Sequence, residues 1–273
     1  MIYYLNMGFI SEQALRDVVA TYLNRLQLDD VYVNYHISVV NEHPFAHMIL
    51  EDNPRCADSF PSIVISTESD SKSGDLMNVP PQYSGIGLTS KDIDELIENT
   101  KRIKTKINEK GEVVPVVKKG VVQKEVIPGY VFVTDEITIN NIKEIADSRT
   151  QGETEGMIYG VKSNTRRKDR ISVEIWADNN QLKNELYEHL RLLFSSTLDY
   201  VIQEKYKMFD PVIFDGTVQG QRSSNFNFDF DTLLFGSHIS FDIEYNVAQI
   251  ILDSEINNIG KDLIVEVINH VKI

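Results

Sequence analysis

Ile171-Ser172-Val173-Glu174-Ile175-Trp176-Ala177 runs straight into Asp178-Asn179-Asn180-Gln181-Leu182, and this junction decides the class of fold. In the first seven residues Ile171, Val173 and Ile175 fall on one side of an extended chain, and Ser172, Glu174 and Trp176 on the other. That is the two-residue period of a half-buried strand. After Asp178 the period becomes helical. Asp178 suits an N-cap, with Gln181 at the third helical position, and Leu182, Leu186, Leu190, Leu193 and Val201 form a stripe suited to burial.

Working outward, residues 157–161 read as a strand, 162–170 as a polar turn and 171–177 as its return, an antiparallel hairpin. Further on, Ile239, Phe241, Ile243 and Tyr245 alternate with Ser240, Asp242, Glu244 and Asn246, a strand apolar on one side and wet on the other. Toward the N-terminus, Ser11 is a plausible cap for a helix over 11–26, where Leu15, Val18, Val19, Tyr22, Leu23 and Leu26 share one face. Residues 31–40 and 60–66, dense in β-branched and aromatic side chains, read as strands, the second central.

The middle of the chain is less regular. Residues 69–87, rich in Ser, Gly and Pro, read as a loop. Thr89 and Asp92 form a capping-box pair for a short helix carrying Ile93, Leu96 and Ile97. Residues 104–117 read as a hairpin around Glu109-Lys110-Gly111 and 121–134 as further strands, the Pro115 and Pro128 breaks implying edge or irregular strands.

The sum is an α+β fold: an antiparallel sheet with helices packed on one face, plus an inserted β-rich arm. The expected division is a core of 1–68 with 155–250, an arm at 69–154, and a C-terminal segment at 251–273. The expected core includes Leu15, Val19, Tyr22, Ile63, Ile65, Val173, Ile175, Leu186, Leu190, Leu193, Phe241 and Ile243.

Composition narrows the function. The 273 residues carry a net charge of −14, which argues against broad electrostatic binding to DNA. The charge is uneven. Residues 101–127 hold eight basic side chains against three acidic ones, a balance of +5 that leaves −19 for the rest. One basic excursion on an acidic body suits contact between unlike patches of neighbouring subunits, or simply a solvated hairpin. A lone cysteine, Cys56, excludes an intrachain disulfide and a cysteine cluster for metal. No apolar run reaches the roughly 18 residues of a membrane span, and residues 1–10 lack the pattern of a signal peptide, so a cytosolic location is expected.

Four motifs invite a chemical reading. Gly85-Ile86-Gly87 before a helix resembles a phosphate loop but lacks the third glycine, and a structural turn is expected. His43 and His47 have the spacing of helical metal ligands, but Pro44 stands where a zinc protease carries glutamate. Asp229 and Asp231 can chelate a cation, yet they sit in 225–231, where polar and aromatic residues alternate as in an edge strand burying Phe226, Phe228 and Phe230. Asp169 and Glu174 bracket a strand as in metal-dependent nucleases, but Trp176 occupies the position of the required lysine. No catalytic residue, metal ligand or cofactor is assigned.

The order of elements resembles the tail terminator (tail completion) proteins of tailed bacteriophages. The likeness rests on the N-terminal helix, the strand at 60–65, the strand 171–177 running into the Asp178-capped helix, and the alternating strand 239–245. It covers 8–68 and 155–250, with no catalytic signature; the 69–154 insertion and the segment after Val201 exceed the family pattern. The resemblance implies a hexameric ring that caps the tail tube, touches sheath and head-connector proteins, and lets genome DNA slide through an acidic lumen. It also implies assembly in the host cytoplasm and residence in the virion.

Expected subunit contacts are Lys101, Arg102, Lys104, Lys106, Lys118 and Lys119 of the arm, with Arg166, Arg167, Lys168 and Arg170. The β-prone run containing Ile264, Val265 and Val267 joins them. Alternatives are another neck component, such as a head-completion adaptor or collar protein, or a metal-dependent enzyme acting on nucleic acid.

Overall fold

The computed structural model describes residues 2–23, 37–41, 60–72, 82–108, 113–148, 156–214, 217–224 and 234–253. Strand β1 (Ile2–Phe9) leads into α1 (Ser11–Leu23). Next come β2 (Ser38–Val40), β3 (Ser62–Lys72), β4 (Gln82–Leu88) and α2 (Ser90–Glu98). Short strands follow: β5 (Lys101–Ile103), β6 (Thr105–Ile107), β7 (Val113–Pro115) and β8 (Val117–Lys118). After them come β9 (Val121–Val122), β10 (Lys124–Val126), β11 (Tyr130–Phe132) and α3 (Glu136–Ser148). The last part holds β12 (Ile158–Ala177), α4 (Asn180–Leu192), α5 (Leu198–Lys205), β13 (Val212–Ile213), β14 (Gln219–Ser224) and β15 (Phe235–Asp253).

The fold is α+β, with a mostly antiparallel sheet and five helices among the described residues. The chain forms two compact units. The first comprises Met1–Phe9, Pro80–Thr165 and Val247–Ile273; the second comprises Ile10–Val79 and Arg166–Asn246. Of the expected 69–154 arm, residues 80–154 therefore belong to the first unit, with the N-terminal strand and the end of β15, and residues 69–79 to the second. Strands β12 and β15 supply residues to both units.

In the first unit β1 lies between β11 and β15, with Phe9 opposite Tyr130 and Leu5 opposite Ile250. β4 pairs with the start of β12, Leu88 opposite Ile158. Helices α2 and α3 cover these strands, and Leu5, Leu88, Ile93, Ile139, Ile142, Ala146, Ile158, Ile250 and Leu252 form the core. Thr89 caps α2 as the sequence predicts: its hydroxyl accepts from the Asp92 amide at 3.2 Å, and the Asp92 carboxylate accepts from the Thr89 amide at 2.8 Å.

In the second unit β12 pairs antiparallel with β3, and β2 adds to β3 in parallel, so β3 is interior as expected. β13 and β14 pair with β15. Ile63, Ile65, Ile171, Val173, Ile175, Phe241 and Ile243 are fully buried beneath the helices. Phe194 meets Phe241 with ring centroids 4.7 Å apart. Trp176 is buried on the other side of the sheet with Phe60 and Val64.

Several expectations need correction. Residues 162–170 are not a turn; they are the middle of β12, a continuous 20-residue strand. No Gly or Pro lies between 162 and 170 to make a turn, and the long polar side chains find partners across the sheet. Residues 69–87 are not simply a loop, since β3 runs to Lys72 and β4 begins at Gln82. The cap of α4 is Asn179, one residue beyond Asp178, and its carboxamide oxygen accepts from the Gln181 amide at 2.8 Å.

Val201 leaves the buried stripe at 36% exposure, and Tyr22 is only half-buried. The reason for the first is a π turn, Leu193–Thr197. Leu182, Leu186, Leu190, Phe194, Leu198, Ile202 and Tyr206 are all buried at a strict spacing of four. Each such step overshoots an α-helical turn by about 0.4 residue, and a wider turn absorbs part of the drift.

Candidate interaction surfaces

The predicted basic turn becomes one half of a charge ladder. Arg166, Lys168 and Arg170 alternate along β12 and project to the face shared with Ser172, Glu174 and Trp176. Opposite them, Ser240, Asp242, Glu244 and Asn246 alternate along β15. Arg166 Nε lies 3.2 Å from Glu244 Oε2, and its Nη1 donates to Asn246 Oδ1 at 3.2 Å. Lys168 Nζ is 2.8 Å from Asp242 Oδ2, while Arg170 Nη1 donates to Asp242 Oδ1 at 2.9 Å and Nη2 to Ser240 Oγ at 3.0 Å.

The Asp242 side chain is 10% exposed. Burial alone would push its carboxyl up, but the hydrogen bonds and charges of Lys168 and Arg170 outweigh burial and hold it below the ordinary value. Of the four basic residues at 166–170 expected at an interface, Arg166, Lys168 and Arg170 are therefore answered within the chain. Arg167 projects to the other face and is exposed.

Asp169 and Glu174 do not converge. They lie on opposite faces of β12, where alternation separates odd from even positions. Asp169 is buried against α1, accepting from Ser11 Oγ at 2.6 Å, and Tyr245 also hydrogen-bonds this carboxyl. Burial raises its pKa. Glu174 accepts from the Trp176 indole at 2.9 Å. This pair cannot hold one ion between them.

Ser172, His238 and Glu68 also meet, a grouping the sequence did not suggest. Ser172 Oγ is 2.8 Å from His238 Nε2, but Glu68 Oε1 approaches the same ring nitrogen at 3.7 Å. A catalytic relay needs hydroxyl and carboxylate on opposite nitrogens, so this geometry does not activate the serine. Among the described residues no group of three or more His, Cys, Asp or Glu is placed to hold a metal ion. Among the described residues no helix is long and apolar enough to cross a membrane.

Within the expected arm, residues 101–126, called the arm from here on, form a three-way junction of small hairpins. β5 and β10 form the stem, β6 and β7 one branch, β8 and β9 the other. At the meeting point three amides close a ring. Lys104 donates to the Gln123 carbonyl at 2.9 Å, Gln123 to Val116 at 2.8 Å, and Val116 back to Lys104 at 2.8 Å. Among the described residues, six of the fourteen exposed large apolar side chains belong to this arm: Ile103, Val113, Val117, Val121, Val122 and Val126.

At the stem, Lys101 and Lys124 pair with Glu98, and Arg102 and Lys104 with Glu125. Among the described residues no carboxylate pairs with Lys106, Lys118 or Lys119.

Gly85, Ile86 and Gly87 lie inside β4 rather than in a turn, and a side chain at Gly87 would meet the Tyr159 ring at 3.4 Å. His43, His47, Cys56, Phe226, Phe228, Asp229, Phe230, Asp231, Ile264, Val265 and Val267 lie outside the described residues. Sequence reasoning passed over β1 and α3. For α3 the signal was present: Asp135 precedes Ile139, Ile142 and Ala146 at helical spacing, and its carboxylate accepts from the Thr138 amide at 2.7 Å.

No family model matches this chain. No curated protein matches it either.

Proposed function

We propose that this chain is a structural protein that works through its surfaces, as a ring-forming neck component of a tailed bacteriophage. In this reading copies close a hexameric ring on the last layer of tail tube, with sheath beside it and head-connector proteins above. The observation that carries it is the arm, where six of the fourteen exposed large apolar side chains among the described residues share 101–126 with a basic surplus. Apolar side chains concentrated on short exposed hairpins are a feature of partner-binding surfaces rather than of an isolated domain.

The α+β core supports the same reading, because a sheet stiffened by helices offers a rigid base for repeated head-to-tail contacts. A head-to-tail interface repeated about a closed rotation generates a ring. The acidic remainder of the chain suits a lumen through which DNA phosphates pass without sticking. The test is negative-stain imaging of purified protein alone and mixed with tail tubes, with native mass measurement. Rings that sit at tube ends are expected. A protein that stays monomeric and never associates with tubes defeats the proposal.

A further inference from the structure

The β8–β9 hairpin is a poor structure to leave in water. Its strands are two residues each, with Val117 opposite Val122 and Lys118 opposite Val121. All four of these side chains are exposed, the three valines at 53%, 43% and 64%. Lys119 and Gly120 make the turn with φ of 49° and 78°, the two left-handed residues that match a hairpin's twist. The backbone is thus well specified, while the side chains bury almost nothing. A hairpin of this kind gains from docking on something that is apolar and negatively charged.

The chain carries such a surface. Glu185, Glu188 and Leu192 follow one another along the outer side of α4, where they line a shallow groove with Asn184 and His189. Leu192 is 62% exposed, and the Glu188 side chain is 46% exposed and pairs with the exposed Arg222. Two carboxylates beside an uncovered leucine complement two lysines beside uncovered valines in charge and in polarity.

We propose that the β8–β9 hairpin of one copy docks on the outer face of α4 in a second copy, Lys118 and Lys119 toward Glu185 and Glu188, and Val121, which shares the Lys118 face, over Leu192. This deepens the ring reading and rests on it, because the contact joins unlike patches head to tail. The balance of +5 on residues 101–127 against −19 elsewhere adds long-range attraction that favours the second copy as occupant.

The test uses the full chain in sedimentation experiments over a range of concentrations. Four proteins are compared: the unaltered chain, an arm variant (Lys118→Glu with Lys119→Asn, asparagine tolerating the left-handed position), a helix variant (Glu185→Lys with Glu188→Lys), and all four changes together. Val121→Thr supplies an independent arm variant, and circular dichroism checks that each is folded. Self-association is expected to weaken at least tenfold in each one-sided variant and to return within about threefold in the combination.

An oligomer that ignores the arm variants overturns this contact while leaving the ring reading in place. Loss in the arm variant without recovery in the combination removes α4 as the receptor. A monomeric unaltered chain with no rings on tail tubes overturns both.

Discussion

Ser11 and Asp169, 158 residues apart in the chain, meet at 2.6 Å where the first turn of α1 lies on the sheet. The serine hydroxyl donates to a carboxyl that is 4% exposed. Burial pushes the pKa of Asp169 up, so the folded state binds its proton more tightly than the unfolded chain does. The group therefore favours folding most below the unfolded carboxylate range, and that contribution is lost as pH rises through the folded value. Asp169→Asn keeps an acceptor for Ser11 without the charge. It should raise stability at pH 7 and lose that advantage near pH 3. Ser11→Ala should reduce stability at pH 7 by about 1–3 kcal/mol, since a buried carboxylate loses its donor. Urea titrations of both variants at the two pH values provide the check.

Asp242 follows the opposite sign. Held down by Lys168 and Arg170, its carboxyl adds stability that is present above the unfolded range and lost as pH falls through the folded value. Asp242→Asn should flatten this acid-side loss. Asp242→Ala should reduce stability at neutral pH by about 3 kcal/mol, because two partly buried cations lose the carboxylate between them. Chemical denaturation from pH 7 down to pH 3 distinguishes the two. An Asp242→Asn variant as acid-sensitive as the unaltered chain would refute the assignment.

The contrast between these two aspartates marks how far the sequence could be read. The alternation of Ile239, Phe241, Ile243 and Tyr245 and the leucines of α4 were legible because local period reports a buried face directly. The core positions named from those patterns are buried, Tyr22 only partly. The stretch 162–170 misled because a run of Lys, Arg and Asp carries no apolar period, and the side chains that make it a strand lie some seventy residues away on β15. Val201 misled for another reason. The π turn shifts the helical phase after Leu193, and no single residue type announces such a turn. The arm's basic surplus was visible in the composition. Its three-way hydrogen-bonded junction, which depends on backbone amides alone, was not.

Two glycines separate backbone from side-chain constraint. A Cβ at Gly160 would strike the Ile251 carbonyl, with Leu252 Cδ2 at 2.7 Å, so a strand must move to admit it. A Cβ at Gly220 would instead strike the Tyr187 hydroxyl, with the ring carbon bearing it at 2.9 Å. Each glycine-to-alanine change should destabilise by about 1–3 kcal/mol. Trimming Tyr187 to alanine in the Gly220→Ala background should recover the steric part of that loss, measured as the coupling in a double-mutant cycle. No single side-chain trim should rescue Gly160→Ala. Coupling near zero between positions 187 and 220 would refute the contact.

The arm junction makes a local prediction. Gly120 has φ of 78° and open space where a side chain would go, so any cost of Gly120→Val comes from the backbone alone. A β-branched residue in the left-handed region costs about 1–2 kcal/mol. That penalty falls on a hairpin of two-residue strands, which opens more readily than a sheet core. Hydrogen exchange should therefore speed up at the Gln123 amide, which closes the ring to Val116, by about tenfold for each 1.4 kcal/mol lost locally. Amides at the centre of β15, such as Ile243, should be unchanged. Equal acceleration at both places would mean that the arm is cooperative with the rest of its chain, and the junction would then not be an independently opening element.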